Sequence, residues 1–134
     1  MLFRSYGNES RTQTLTSLGS TFKKITTMDT GAGDLNCTND TANSKLTITS
    51  DGRWLITYSI AVTATTGDYA FAIKQGPTIQ NASCVDCGVV NYITRSVQLT
   101  ISGPTDIELY AAAPGVVIDL SVKGGYLSAT KIGS

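Results

Sequence analysis

The sequence contains no histidine among its 134 residues. Histidine is the commonest general base near neutral pH, and it accepts the proton in Ser-His and Cys-His nucleophile pairs. Its absence excludes hydrolytic mechanisms that depend on an imidazole. We therefore expect a protein without enzymatic activity.

Charge is also scarce, since Asp, Glu, Lys and Arg make up 15% of the chain and the formal net charge is zero. An average soluble protein carries about 25% charged residues. The clustered basic residues of a nucleic-acid-binding surface are missing, so nucleic acid is not expected as a partner. A surface without net charge does little to oppose self-association, and we expect an oligomer.

No apolar run approaches the roughly 20 residues of a membrane helix. The opening residues, MLFRSY, also lack the apolar stretch of a signal peptide. We therefore expect no membrane contact and a chain that stays in the cytoplasm until it assembles.

Cysteine is sparse and odd in number: Cys37, Cys84 and Cys87. Three thiols fit a reducing compartment better than a disulfide framework. Cys84 and Cys87 form a CxxC pair, but a closed zinc site needs about four ligands, and Cys37 adds only one. We expect no metal and no cofactor. The CxxC pair is interpreted either as two loop thiols or as a local disulfide.

Several aspartates lie in predicted loops, where carboxylates can bind calcium. None has the spacing of a recognised calcium loop, so turn formation is the favoured role. These residues are Asp34, Asp40, Asp51, Asp68 and Asp86.

Alternation of apolar and polar residues dominates from Ser20 onward and predicts β-strands. It is clearest over residues 53–62, where Trp54, Ile56, Tyr58, Ile60 and Val62 share one face. The turn signal at 50–52 predicts a hairpin that joins this strand to residues 45–50. Gly124 and Gly125 predict a turn between two last strands, and residues 29–43 form the longest gap.

Short strands separated by turn residues, without any helical period, indicate an all-β fold, an antiparallel β-sandwich or jelly roll. We assign residues 20–134 to this domain. Residues 1–19 show no sustained period and are predicted to form an extended N-terminal arm. The arm either lies against a partner or is an untethered terminus.

The segment DGRWLITYSI at residues 51–60 resembles the G-x-aromatic-x-I-x-Y-x-I strand of the C1q/TNF-like jelly-roll family. Two further segments are similar to the family's late strands: IEL at 107–109 and GGYLSA at 124–129. The resemblance spans residues 21–132 and implies a homotrimer about a three-fold axis. Candidates for the trimer interface, each with a place in the sandwich core as its alternative, are Tyr58, Tyr92, Tyr110 and Tyr126.

A chain of this size without a collagen-like stalk looks like a bacteriophage virion component. The first hypothesis is a capsid decoration (cement) protein that assembles in the host cytoplasm and binds the major capsid protein on the capsid exterior. The alternatives are the receptor-binding tip of a tail fibre and a calcium-dependent carbohydrate-binding module. Arm residues expected to contact the capsid or to swap between protomers are Leu2, Phe3, Arg4, Tyr6, Arg11, Leu15 and Leu18.

Overall fold

A computed structural model of the chain describes residues 2–6, 12–28, 30–32, 37–64, 69–80 and 92–134. We number twelve strands and one short 3₁₀ helix in these residues. The N-terminal half contains β1 Leu2–Tyr6, β2 Thr12–Leu18, β3 Lys23–Lys24, β4 Thr30–Ala32, β5 Cys37–Asp40, the 3₁₀ helix Thr41–Asn43, β6 Lys45–Ile48 and β7 Gly52–Ala64. The remaining strands are β8 Ala70–Gln75, β9 Thr78–Gln80, β10 Tyr92–Ile101, β11 Thr105–Ala112 and β12 Ile118–Gly133.

The strands form two antiparallel sheets of six strands each. Sheet A has the order β10-β7-β12-β1-β4, and β2 also pairs with β12. Sheet B has the order β5-β6-β11-β8-β9, and β3 also pairs with β11. This architecture confirms the prediction of an antiparallel β-sandwich of jelly-roll type.

The core lies between the two sheets and contains the apolar face predicted on residues 53–62. Trp54, Ile56, Tyr58 and Ile60 are fully buried, as strand alternation requires when one face packs on a second sheet. Sheet B contributes buried side chains from β6, β8 and β11. They include Leu46, Ile48, Phe71, Ile73, Ile107 and Leu109.

The predicted hairpin between residues 45–50 and 53–62 is wrong. Strand β6 pairs with β5 and β11 in sheet B, whereas β7 pairs with β10 and β12 in sheet A. Residues 50–52 carry the chain from one sheet to the other, and the Trp54 indole donates to the Ser50 carbonyl (3.0 Å) in this connection. Alternation shows which face of a strand is buried, but both strands bury one face and neither pattern identifies the partner strand.

Gly124 and Gly125 form a β-bulge, not the predicted turn. Lys123 pairs with Ala61 and Tyr126 with Ser59, so three steps along β12 match two along β7. Both glycines have positive φ, 52° and 111°, which a residue without Cβ adopts at little cost. The chain therefore continues as one long strand through a segment that the sequence divided in two.

Residues 1–19 contribute two strands to sheet A. Strands β1 and β2 lie end to end along the side of β12 that β7 leaves open. Leu15 and Leu18 are buried in the protomer's own core, which differs from the expectation that they contact a partner. They are three residues apart, yet both point inward, because Ser17 adopts φ 52° where the β2–β12 register shifts.

Candidate interaction surface

The described residues contain no group of three or more His, Cys, Asp or Glu side chains that could hold a metal ion. Two of the candidate aspartates stabilise turns instead. Asp40 caps the 3₁₀ helix by accepting from the Asn43 main chain (3.2 Å) and side chain (2.8 Å), and the side-chain bond lowers the pKa of the Asp40 carboxyl. Asp51 accepts from the Gly103 amide (2.8 Å).

Cys37 is buried at the start of β5, on the core side. The other sequence candidates for metal or thiol chemistry lie outside the described residues. These are Cys84, Cys87, Asp34, Asp68 and Asp86.

The outward surface of β10, β7 and β12, which we call the sheet A face, carries no charged residue in its central part. Register pairing arranges it in cross-strand rows. The three central rows are Thr94–Ser59–Tyr126, Ser96–Thr57–Ser128 and Gln98–Leu55–Thr130, of which Ser59 is buried.

Hydroxyl pairs connect the strands of this face. Thr57 and Ser96 place their oxygens 2.8 Å apart, and the Thr94 hydroxyl donates to Ser59 Oγ at 3.2 Å. Leu55, 37% exposed, lies in the row next to these pairs. Charged residues border the three rows, with Arg53 of β7 at one end and Lys123 of β12 at the other.

The outward surface of sheet B has different chemistry, because ion pairs cross its strands. Lys24 pairs with Glu108, and Lys45 binds Asp106 at 3.0 Å. The Thr47 hydroxyl donates to Asp106 (2.7 Å). Hydrogen bonds from Thr47 and then Lys45 hold the pKa of Asp106 below its usual value, and the same carboxylate raises the pKa of Lys45.

The four candidate tyrosines lie in three different environments. Tyr58 is inside the core, with its hydroxyl 3.5 Å from the Phe71 carbonyl oxygen. A place in the core was the alternative that the sequence left open for this residue. Tyr110 lies on the outer side of sheet B, where the Lys74 ammonium sits 4.8 Å from its ring centre. Tyr92, 58% exposed, and Tyr126, half-buried, both belong to strands of the sheet A face.

The predicted arm residues are also divided. Leu15 and Leu18 belong to the core, and Arg11 lies outside the described residues. The backbone of β1 carries the remaining candidates: Leu2, Phe3, Arg4 and Tyr6. These four residues lie on β1, which forms main-chain ladders with β12 and β4.

Sequence reasoning missed the central residues of the sheet A face, including Leu55, Thr57, Ser96 and Ser128. Their signal was present as the outward half of the period-two pattern on β7, β10 and β12. A polar residue that alternates with core residues has the same pattern whether it meets solvent or another chain. Only the register that places these residues side by side reveals a continuous surface.

No protein-family model matches the chain, and no curated protein matches it. Solved structures do match it over nearly its whole length. Vertex protein P5 of PRD1 has a TM-score of 0.66 at 12% identity, covering 98% of this chain and 73% of its own. The globular domain of zebrafish complement 1qA gives 0.64 at 14% identity, covering 98% and 96%. Eiger TNF from S. frugiperda gives 0.69 at 8% identity, covering 100% and 93%.

The chain has the C1q/TNF-like jelly-roll fold. This finding confirms the resemblance drawn from residues 51–60, 107–109 and 124–129 as a statement about architecture. In the described part of this jelly roll, no helix has the length and apolar character to cross a bilayer.

Proposed function

We propose that the protein is a non-enzymatic structural component of a phage virion: a homotrimer that decorates the outside of the capsid and stabilises the major capsid lattice. It acts by binding alone. Three copies of each modest contact add their free energies, so a trimer can stabilise a shell without any chemical step.

The observation that carries the trimer is the chemistry of the sheet A face. Closed cyclic symmetry brings copies of the same surface close to the axis, where charged side chains of one sign would repel. The three central rows offer hydroxyl, amide, Leu55 and Tyr126 side chains, which can bond and pack against copies of themselves. The sheet B face already satisfies its charges internally. We therefore assign sheet A to the interface and sheet B to the outside.

The likeness to vertex protein P5 of PRD1 supports placing the chain on a virion. Absence of histidine from the sequence supports a role without acid-base catalysis. The major capsid protein is the proposed partner because a decoration protein must bridge neighbouring capsid subunits.

A fibre tip that binds a receptor is the second candidate. The loop between β11 and β12 favours it. Val116 and Val117 are exposed there and line a groove of about 580 Å³ together with Ser17, Thr21 and Lys23. An apolar exposed loop at the end of a trimer is suited to recognition of a protein or a sugar.

The trimer is tested by light scattering on the purified chain and on two matched variants. Thr94→Arg introduces a charge into a central row of the sheet A face, and Thr38→Arg introduces one at an exposed site on the outer side of sheet B. We expect a trimer for the parent and for Thr38→Arg, and protomers for Thr94→Arg. A monomeric parent chain contradicts the proposal.

Capsid binding is tested by co-sedimentation with heads of the encoding phage that lack the protein, followed by thermal disruption of those heads. Saturable binding and a higher disruption temperature support decoration. Binding to host cells without binding to heads supports the fibre tip. Carbohydrate binding that a calcium chelator abolishes supports the third hypothesis, the calcium-dependent module.

A further inference from the structure

The N-terminal strand occupies a slot in sheet A between two other strands. All five residues of β1 pair with β12, from Leu2 opposite Thr130 to Tyr6 opposite Tyr126. Its other edge pairs with β4, and in the described residues β4 has no ladder except the one with β1. A strand of five residues with two backbone ladders is therefore needed to connect β4 to the sheet.

The next strand is fixed to its own protomer. Leu15 and Leu18 of β2 are in the core, and the Ser17 amide donates to Asp119 (2.8 Å). The Gln13 side chain donates to the Lys24 carbonyl (3.0 Å) and accepts from the Thr26 amide (2.7 Å). These contacts hold β2 in place whatever β1 does.

The connection between β1 and β2 is longer than the pairing within one protomer requires. Tyr6 lies opposite Tyr126 and Thr12 opposite Lys123, three residues apart on β12. The Gly124–Gly125 bulge lies within this stretch, and its three steps face two steps of β7, so the separation is about 7 Å at the rise of a β-strand. Six Cα-to-Cα steps join Tyr6 to Thr12, and an extended chain of that length spans roughly 20 Å.

We infer that β1 is exchanged between copies of the chain, so that β1 of one protomer fills the slot between β12 and β4 of its neighbour. This inference rests on the trimer proposed above and names the segment that joins its subunits. The slot lies in sheet A, beside the β12 residues that form part of the sheet A face. Neighbouring slots are thus close to one another in a trimer that packs through this face.

Exchange preserves every backbone hydrogen bond of β1, because the donor strand and the slot are identical in each copy. The equilibrium between self-pairing and exchange then depends on the length of the segment that joins β1 to β2 and on the local concentration of neighbouring slots. Within a trimer the neighbouring slot is present at an effective concentration on the order of millimolar or higher. A closed ring of three exchanged strands has no unfilled slot.

The test is a disulfide between β1 and β12. Arg4 and Ser128 are register partners, and paired Cα atoms in an antiparallel ladder lie at a separation that a disulfide can bridge. Arg4→Cys and Ser128→Cys are introduced together after replacing Cys37, Cys84 and Cys87 by alanine or serine. The oxidised protein is then denatured and its covalent mass measured without reductant.

A matched pair controls for accidental contacts. Thr14 and Ser121 are register partners in β2 and β12, with their hydroxyl oxygens 3.1 Å apart. Thr14→Cys with Ser121→Cys should crosslink within one protomer, since β2 is fixed there. A third protein combines Arg4→Cys and Ser128→Cys with deletion of residues 8–10. The deletion leaves three Cα-to-Cα steps between Tyr6 and Thr12, which span at most about 10 Å and so still allow pairing within one protomer.

Exchange predicts a covalent trimer for the Arg4–Ser128 pair, a monomer for the Thr14–Ser121 pair, and a return to monomer when the connection is shortened. Light scattering before oxidation separates the two proposals. If the proteins are trimers and the Arg4–Ser128 pair yields only covalent monomers, exchange is refuted and the trimer stands. If the proteins are monomers before oxidation, the proposed function itself fails.

Discussion

Gly125 lies directly against the main chain of Ser59 on the neighbouring strand. An ideal Cβ on Gly125 would overlap the Ser59 carbonyl oxygen and would lie 2.9 Å from Ile60 Cδ1. Because the glycine permits this close approach, β12 stays paired with β7 on both sides of the bulge and continues as one strand over Ile118–Gly133.

Gly125→Ala should therefore destabilise the protein strongly. Positive φ costs an alanine about 1–2 kcal/mol, and the overlap with Ser59 adds about 1–3 kcal/mol. Gly103→Ala is the matched control, because Gly103 also has positive φ, 72°, but no atom lies within 4 Å of its ideal Cβ. The free energy of unfolding from urea titrations should fall clearly further for Gly125→Ala. Equal losses would mean that the contact with Ser59 is not tight.

The Thr27 hydroxyl should stabilise the same bulge from the core side. It is fully buried and donates to the Gly124 carbonyl at 2.9 Å. Thr27→Val keeps the shape but leaves that carbonyl without this donor, which should cost about 1–3 kcal/mol. Thr26→Val changes an exposed neighbour and should stay within about 0.5 kcal/mol. Thermal unfolding followed by circular dichroism measures the difference, and equal melting temperatures would contradict the role of Thr27.

Leu18 tests whether the N-terminal region is part of the domain. It is fully buried on β2, so Leu18→Ala should cost about 2–5 kcal/mol of folding free energy. Val117→Ala removes carbon atoms from a side chain that is 73% exposed and should change stability by about 0.5 kcal/mol or less. A folded protein of unchanged stability after Leu18→Ala, measured by urea titration, would show that residues 1–19 are an independent arm.

Asp106 should contribute to stability at neutral pH and lose that contribution in acid. Its folded pKa lies below the usual 3.8, mainly because Thr47 donates a hydrogen bond to the carboxylate. A depressed folded pKa stabilises the native state above about pH 4, and the stabilisation disappears as the pH falls through the folded pKa. Because the side chain is partly exposed, the contribution is about 0.5–1 kcal/mol after solvent screening.

Thr47→Val removes the largest cause of this shift. The pKa of Asp106, followed by carbon NMR of its carboxyl, should rise toward its usual value in that variant. Thr57→Val is the control, since Thr57 bonds Ser96 on the other sheet. An unchanged Asp106 pKa in Thr47→Val would contradict the assignment of the hydrogen bond as the main cause.

The sequence alone predicted much of the core. Alternation on β7 identified Trp54, Ile56, Tyr58 and Ile60 as one face, and all four are buried. The same rule failed where the backbone departs from a regular strand. Leu15 and Leu18 share a face only because Ser17 is left-handed, and Gly124 and Gly125 continue a strand only because the bulge absorbs one residue.

What the sequence by itself determined was the sandwich class, the buried face of most strands and the scarcity of charge. These properties depend on residue type and on local spacing, which can be read along the chain. Only the tertiary structure decided which sheet each strand joins, that β1 and β2 share one side of β12, and which polar residues line up as the sheet A face. Such pairings are made between residues far apart in sequence, and alternation carries no information about the partner across the ladder.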